Sequence, residues 1–408
     1  MKKNWKRGIA CFLVLALIAV LGVGCGDDEE EGEVTITIGM LTDLTAAAAP
    51  SVVPLYYAMQ DVFRYYNDEG LIPGVELKVA AYDGHLDPAR DVPGYEWLRE
   101  RGAELIIAVL PYQGPTLKPF AEKDKVMIIS FSNNEIMRVP PGWVFCYSPS
   151  FSGQVRTLLK WISENHWDWE TNGPAKLGLF RWADPGTIEL LDTMTEWCDA
   201  HPDQWDFVAQ ISPPMGTMAF GAADLAPFED CDYILPFAAP APFFVKAFRD
   251  KNYETTWICD SSLASTKGFL VEMAGWDTVD GTLTCEIEYW WDEDVETINL
   301  AKEVLQRYRP GEAEDIIAMG SGYKGVFTMM RGIVQIVQAA IEAVGAENVD
   351  GQAYYDAALT TEIQFEGYEA LSFGERRDCY NYVKMYEWSK DTDGLVSLSD
   401  WIPILLEE

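Results

Sequence analysis

Side chains able to engage a small molecule stand together at Ser132, Asn133 and Asn134, directly after the apolar run Val126–Ser130. That run has the β-branched pattern of a buried strand. Hydroxyl and amide groups just past the carboxyl end of a strand in an open α/β sheet stand where such sheets bind ligands. They hold a polar group by fixed dipoles and need no buried counter-charge. Asp260, closing the run Thr256–Asp260, either accepts from a ligand ammonium or caps the segment after it. Catalytic patterns are missing. The three histidines, His85, His166 and His201, show no HExxH spacing, and there is no G-x-S-x-G elbow, P-loop or CxxC pair. The expectation is a binding protein with no catalytic residue, metal or cofactor.

The elements that must position these groups alternate along the chain. Strand-like runs Thr35–Leu41, Val75–Tyr82, Glu104–Leu110 and Val126–Ser130 are separated by helical spacings at Leu55–Asn67, Ala89–Arg101 and Thr116–Lys123. Pro140-Pro141-Gly142 and the extended Trp143–Tyr147 then lead into a second alternation. There, helices Ser152–Glu164, Thr187–Ala200, Ala222–Phe228 and Phe243–Asp250 interleave with strands Lys176–Phe180, Phe207–Ile211, Tyr233–Phe237 and Thr256–Asp260. Thr282–Tyr289 reads as a return crossing. Helices Val295–Tyr308 and Tyr323–Val344 rejoin the first half, and Tyr380–Trp388 with a hairpin at Asp393-Gly394 ends on the second. Repeated β-α units predict an α/β fold of two Rossmann-like, mostly parallel-sheet lobes joined by a three-strand hinge. The expected lobes are residues 34–147 with 285–371, and 148–284 with 372–408. Trp290-Trp291, beside acids, fits either hinge packing or a cleft wall.

With 408 residues, 49% of them apolar, the chain can build two cores, and a formal charge of −35 disfavours nucleic acid and anionic membranes as partners. Lys2, Lys3, Lys6 and Arg7 precede an apolar stretch, Gly8–Gly24, that closes on Leu21-Gly22-Val23-Gly24-Cys25. This resembles a bacterial lipoprotein signal over residues 1–24, with Cys25 as the lipidated residue. A single membrane-spanning anchor is the alternative, though the run is short for a span. Either places the rest outside the cytoplasm, held off the membrane by an acidic tether over residues 25–33. Cys146, Cys198, Cys231, Cys259, Cys285 and Cys379 then either pair as disulfides or serve as small apolar core residues.

The order and spacing of several further residues carry a resemblance. Gly74–Val79, Asp83, Asp87-Pro88, Ile129-Ser130, Phe145 with Ser148-Pro149-Ser150, Gly186, Asp260, Gly281, Tyr323 and Phe373-Gly374 together resemble the type I periplasmic binding proteins, over essentially residues 34–390. Among these, the branched-chain amino acid substrate-binding components of ABC importers are most similar. The resemblance implies capture of a small molecule, an amino acid or related organic acid or amide, for an ABC transporter permease. A ligand-sensing domain of a membrane receptor has the same fold and is the alternative. It also implies ligand contacts from Tyr112, Gln113 and Gly114 after the third strand, where the family has serines, and from Ser132, Asn133 and Asn134 after the fourth. From the second half it implies Trp182, Phe237 and Asp260, and Tyr323 from the helix that rejoins the first lobe. Tyr112, Trp182, Phe237 and Tyr323 would stack on an apolar or aromatic ligand, or else belong to core or rim.

Overall fold

The computed structural model describes residues 33–406, apart from 47, 184–186 and 238–239. The leader over 1–24, Cys25, all but the last residue of the tether, and the Asp184-Pro185-Gly186 turn lie outside the described residues.

Five strands, β1 (Val34–Thr42), β2 (Val75–Asp83), β3 (Leu105–Ala108), β4 (Met127–Ser130) and β5 (Val144–Cys146), form a parallel sheet in the order β2-β1-β3-β4-β5. The central strands carry no polar alternation because both faces are covered. In β3, Leu105 and Ile107 join the apolar cluster that contains Phe327 and Ile333 of the long helix Gly322–Val344. Ile106 and Ala108 join the opposite cluster, with Tyr95 and Leu117. β4 repeats the division, with Met127 and Ile129 on one face and Ile128 on the other. The period of two thus buries a different helix layer on each side.

The second sheet holds β6 (Ala175–Phe180), β7 (Trp205–Ile211), β8 (Tyr233–Pro236), β9 (Thr256–Cys259), β10 (Leu283–Glu286), β11 (Tyr382–Ser389) and β12 (Gly394–Ser397), with β13 (Ile402–Pro403) pairing β11. Its order is β12-β11-β10-β9-β8-β6-β7, parallel from β7 to β10 and antiparallel beyond. The two-sheet α/β architecture is the one the β-α alternation predicts.

Helix Gly322–Val344 is, among the described residues, the one helix long and apolar enough to cross a membrane, yet most of it is buried inside the protein. It lies against helix Ala49–Asp68, and Tyr323 joins them by donating to Asp61 Oδ2 at 3.0 Å. Arg309 closes on the same carboxylate through two bonds, at 2.6 and 2.9 Å. Full burial of Phe327 on this helix stabilises the fold by roughly 2–3 kcal/mol.

The chain passes between the sheets three times: through residues 147–150, through 287–295, and through 361–381. These passages are tied to one another. Cys146 N–H donates to the Arg377 carbonyl at 2.7 Å, and the Tyr147 ring meets Tyr380 edge-on at 5.3 Å. Tyr368 and Tyr380 each donate a 2.6 Å hydrogen bond to Glu288, one to each carboxylate oxygen. Trp291 packs here too, its indole N–H donating to the Gly320 carbonyl at 2.8 Å. Trp290 and Trp291 are both buried in this packing.

Two elements beside the strand ends differ from the sequence-based expectation. The helix expected to begin at Thr116 begins at Gln113, because Pro115 falls in the first turn, where a missing N–H costs nothing. A short helix, Glu135–Arg138, follows the fourth strand, capped by Asn134 Oδ1 accepting from Met137 N–H at 3.3 Å. All six cysteines of the folded part are buried free thiols.

Candidate functional site

A cavity of about 230 Å³ lies where the parallel strands of both sheets end. Nearly every such strand contributes residues just past its carboxyl end. The first sheet sends Ala48, Leu86, Val109–Tyr112, Phe131, Ser132 and Tyr147; the second sends Trp182, Met215, Phe237, Ser261, Ser262 and Glu286. The passages add Ile287 and Glu288, and the N-terminal turns of two helices add Ser51, Val52, Ser321 and Gly322. Strand ends can be lined by short side chains because the backbone there has left the ladder, which is why open α/β sheets bind ligands at this edge.

Of the residues singled out from sequence, Tyr112, Ser132, Trp182 and Phe237 come together on this lining. Trp182 is fixed by its indole N–H donating to the Thr217 carbonyl at 3.0 Å. The others stand behind the wall. Gln113 is the first residue of its helix, and its side-chain carbonyl accepts from Leu110 N–H at 2.9 Å, holding the β3 loop. At Gly114 an added Cβ would meet Met137 Sδ at 2.1 Å, so glycine allows the two segments to touch. Asn133 donates to the Ser148 carbonyl at 2.9 Å and to Asp378 Oδ2 at 3.1 Å, and accepts from Arg138 at 2.7 Å, so it binds two passages to each other. Asn134 caps helix Glu135–Arg138. Tyr323 is buried against Asp61.

Asp260 is 2% exposed and lies behind Ser261 and Ser262, which line the cavity. Ser262 Oγ donates to its Oδ1 at 2.7 Å, while Oδ2 has no hydrogen-bond partner. Burial pushes its carboxyl up to about 6.

The sequence reading did not single out Gln154, Glu286 and Glu288. Gln154 is fully buried on helix Phe151–Asn165, and its carbonyl oxygen accepts from both Ser261 N–H at 3.2 Å and Ser261 Oγ at 3.0 Å. Glu286 and Glu288 are two acids at alternate positions of a largely apolar run, Leu283–Trp291. That alternation, acid-apolar-acid where a buried strand runs out into the second passage, is the signal that could have found them.

The electrostatics of the lining are one-sided. Glu286 and Glu288 are its charged residues, and no lysine, arginine or histidine is among the described residues that line it. Lys324 is fully buried behind them. Burial lowers the Lys324 ammonium and raises both carboxyls, that of Glu286 to about 8. The rest of the cavity is aliphatic and aromatic, with scattered serines. Such a surface suits a small molecule with an apolar body and a few hydrogen-bonding groups.

The profile of the family described as periplasmic binding protein matches residues 35–381. A search of curated protein sequences finds no match. Among solved structures, the chain is similar to a branched-chain amino acid ABC transporter protein from Thermus thermophilus with bound valine. The TM-score is 0.76 at 18% identity, covering 91% of this chain and 97% of that one. It is similar to a fatty acid ABC transporter substrate-binding protein from Thermomonospora curvata, with TM-score 0.75, 16% identity, and 90% and 92% of the two chains covered. It is also similar to a solute-binding protein of an ABC transporter from R. palustris in complex with 4-hydroxybenzoate. There the TM-score is 0.73 at 15% identity, covering 91% and 97%. At these identities the likeness is one of fold.

The buried acid has a consequence for stability. Glu286 has an ordinary value of 4.5 and is raised to about 8 in the folded protein, so the folded state holds a proton that the unfolded state gives up. Its contribution is therefore fully present below about pH 4.5 and is lost as pH rises toward 8. Glu286→Gln should flatten that decline, by on the order of a few kcal/mol across the window. Urea unfolding of both proteins between pH 4.5 and 8.5 checks this, and parallel stability curves would contradict it.

Proposed function

The chain belongs to the periplasmic binding protein family, and on that basis we propose that it is an extracytoplasmic solute-binding protein that delivers a small organic ligand to an ABC importer. The observation that carries this reading is the cavity at the carboxyl ends of two parallel sheets, spanned by three tied passages. Residues 34–147 with 285–371 form one lobe and 148–284 with 372–408 the other, except that β10 stays with the second sheet to its end at Glu286. The ligand docks on one lobe, and rotation about the passages brings the second onto it, the hinge closure general to such proteins. Tyr112, Ser132, Trp182 and Phe237 contact the ligand. The three rings cover its apolar body, and the serine hydroxyl serves a polar end.

The ligand is an amino acid or a related small organic acid or amide. The similar solved proteins are described with valine, a hydroxybenzoate and a fatty acid, so an apolar body and a carboxylate are their common elements. A thermal-shift screen over amino acids, aromatic and aliphatic acids, amides and amines tests the reading. A true ligand at about a hundred times its Kd adds about 2.7 kcal/mol of stability, a rise of several degrees in Tm. If no compound from these classes shifts the transition, solute binding of this kind is the wrong function.

The protein reaches the membrane through lipid on Cys25. Lipidation needs the thiol as nucleophile, and a serine hydroxyl offers no comparable one. Cys25→Ser should abolish acyl labelling and detergent partitioning together, and undiminished labelling of the variant would refute the anchor.

A further inference from the structure

The cavity has one polar pole, where acids outnumber bases. Glu286 is 1% exposed, lines the cavity, and its Oε1 has no hydrogen-bond partner. A buried carboxylate oxygen left without a donor is costly, and native structures rarely keep one without a function for it. Glu288, two residues on, is already served by the Tyr368 and Tyr380 hydroxyls. Lys324 is the nearby cation, fully buried, and its Nζ has no hydrogen-bond partner either. It faces three acids, Glu286, Glu288 and Glu293, so it neutralises one charge of the group. Glu293 has partners of its own: Lys384, Tyr386 at 2.5 Å and Trp290 N–H at 2.6 Å. Asp260 approaches Glu286 from the end of β9 with a further unpartnered oxygen, and Tyr386 faces it from β11. Ser321, also on the lining, serves Glu286 with its side chain, but the described cavity lining supplies no basic residue, so the exposed side of the pole is short of positive charge.

We propose that the ligand is an apolar amine whose protonated nitrogen donates to Glu286 at this pole. This rests on the solute-binding function and narrows it. An ammonium supplies the positive charge that the lining lacks and an N–H donor for the unpartnered Oε1 of Glu286. A carboxylate at the same place would sit beside two acids with no cation on the lining to hold it. The remaining walls favour the same ligand. Phe131, Phe151, Trp182 and Phe237 line the cavity, and aromatic rings suit both an apolar body and a cation. A chain of formal charge −35 also draws cations toward its clefts.

The test uses three probes of one shape, 2-phenylethylamine, 2-phenylethanol and 3-phenylpropionate, titrated calorimetrically into the full chain. The amine should bind at least about tenfold more tightly than either of the others, and Glu286→Gln should weaken it roughly ten- to a hundredfold. Binding of the ammonium requires the ionised carboxylate, so in the unaltered protein amine affinity should rise about tenfold per pH unit from pH 6 to 8 and then level off, with a proton released on binding. That profile needs no variant and decides the matter if Glu286→Gln fails to fold. Preference for the alcohol or the propionate, unchanged affinity in a folded Glu286→Gln, or a flat pH profile overturns the assignment. So does failure of all three probes to bind. If another compound from the thermal-shift screen still stabilises the protein, the solute-binding function stands and the amine assignment alone falls.

Discussion

The carboxylate of Glu288 is the point on which the two halves of this molecule depend. It is buried at the second passage and takes the hydroxyls of Tyr368 and Tyr380 from the third. The Tyr380 ring rests against Tyr147 of the first, so one acid and its phenols bring all three passages into contact. Burying a charge is unfavourable unless its oxygens are satisfied, and here both are. The same side chain forms part of the cavity wall. The machinery that joins the sheets and the surface that meets a ligand are therefore one structure, and a change at one is felt at the other.

Much of the architecture was legible in sequence because it follows from short-range pattern. The β-branched runs, their spacing and the turn residues between them are enough to place the strands and to predict two mostly parallel sheets, though not the strand order within them. The lining was legible only in part. Ser132 stands out by its position just past a strand end, while Tyr112, Trp182 and Phe237 on the same lining come from the family resemblance. Gln113 and Gly114 stand off the cavity because Pro115 starts the helix three residues earlier than the apolar spacing suggests. Asn133 is committed to Asp378, a partner 245 residues away, which no local pattern reveals. Glu286 and Glu288 carry a local signal in their alternation, but their surroundings do not, since Lys324, Tyr368 and Tyr380 come from distant elements.

Ligand chemistry follows from what the lining lacks as much as from what it contains. The apolar residues explain affinity for an uncharged body but discriminate poorly among bodies of similar size. Selectivity has to come from the few polar groups, because leaving one of them unpaired on burial is what penalises the wrong ligand. The acids beside Lys324 are the strongest such groups in the cavity. Their desolvation explains both why Glu286 holds a proton near neutral pH and why a cationic partner would displace it.

The central claim is that the two sheets close over a ligand about the three tied passages. Small-angle X-ray scattering of the full chain in detergent, with and without a saturating stabilising ligand, measures that most directly. Closure predicts a smaller radius of gyration and a shorter maximum dimension on saturation. Identical scattering from the free and ligand-saturated protein would contradict it.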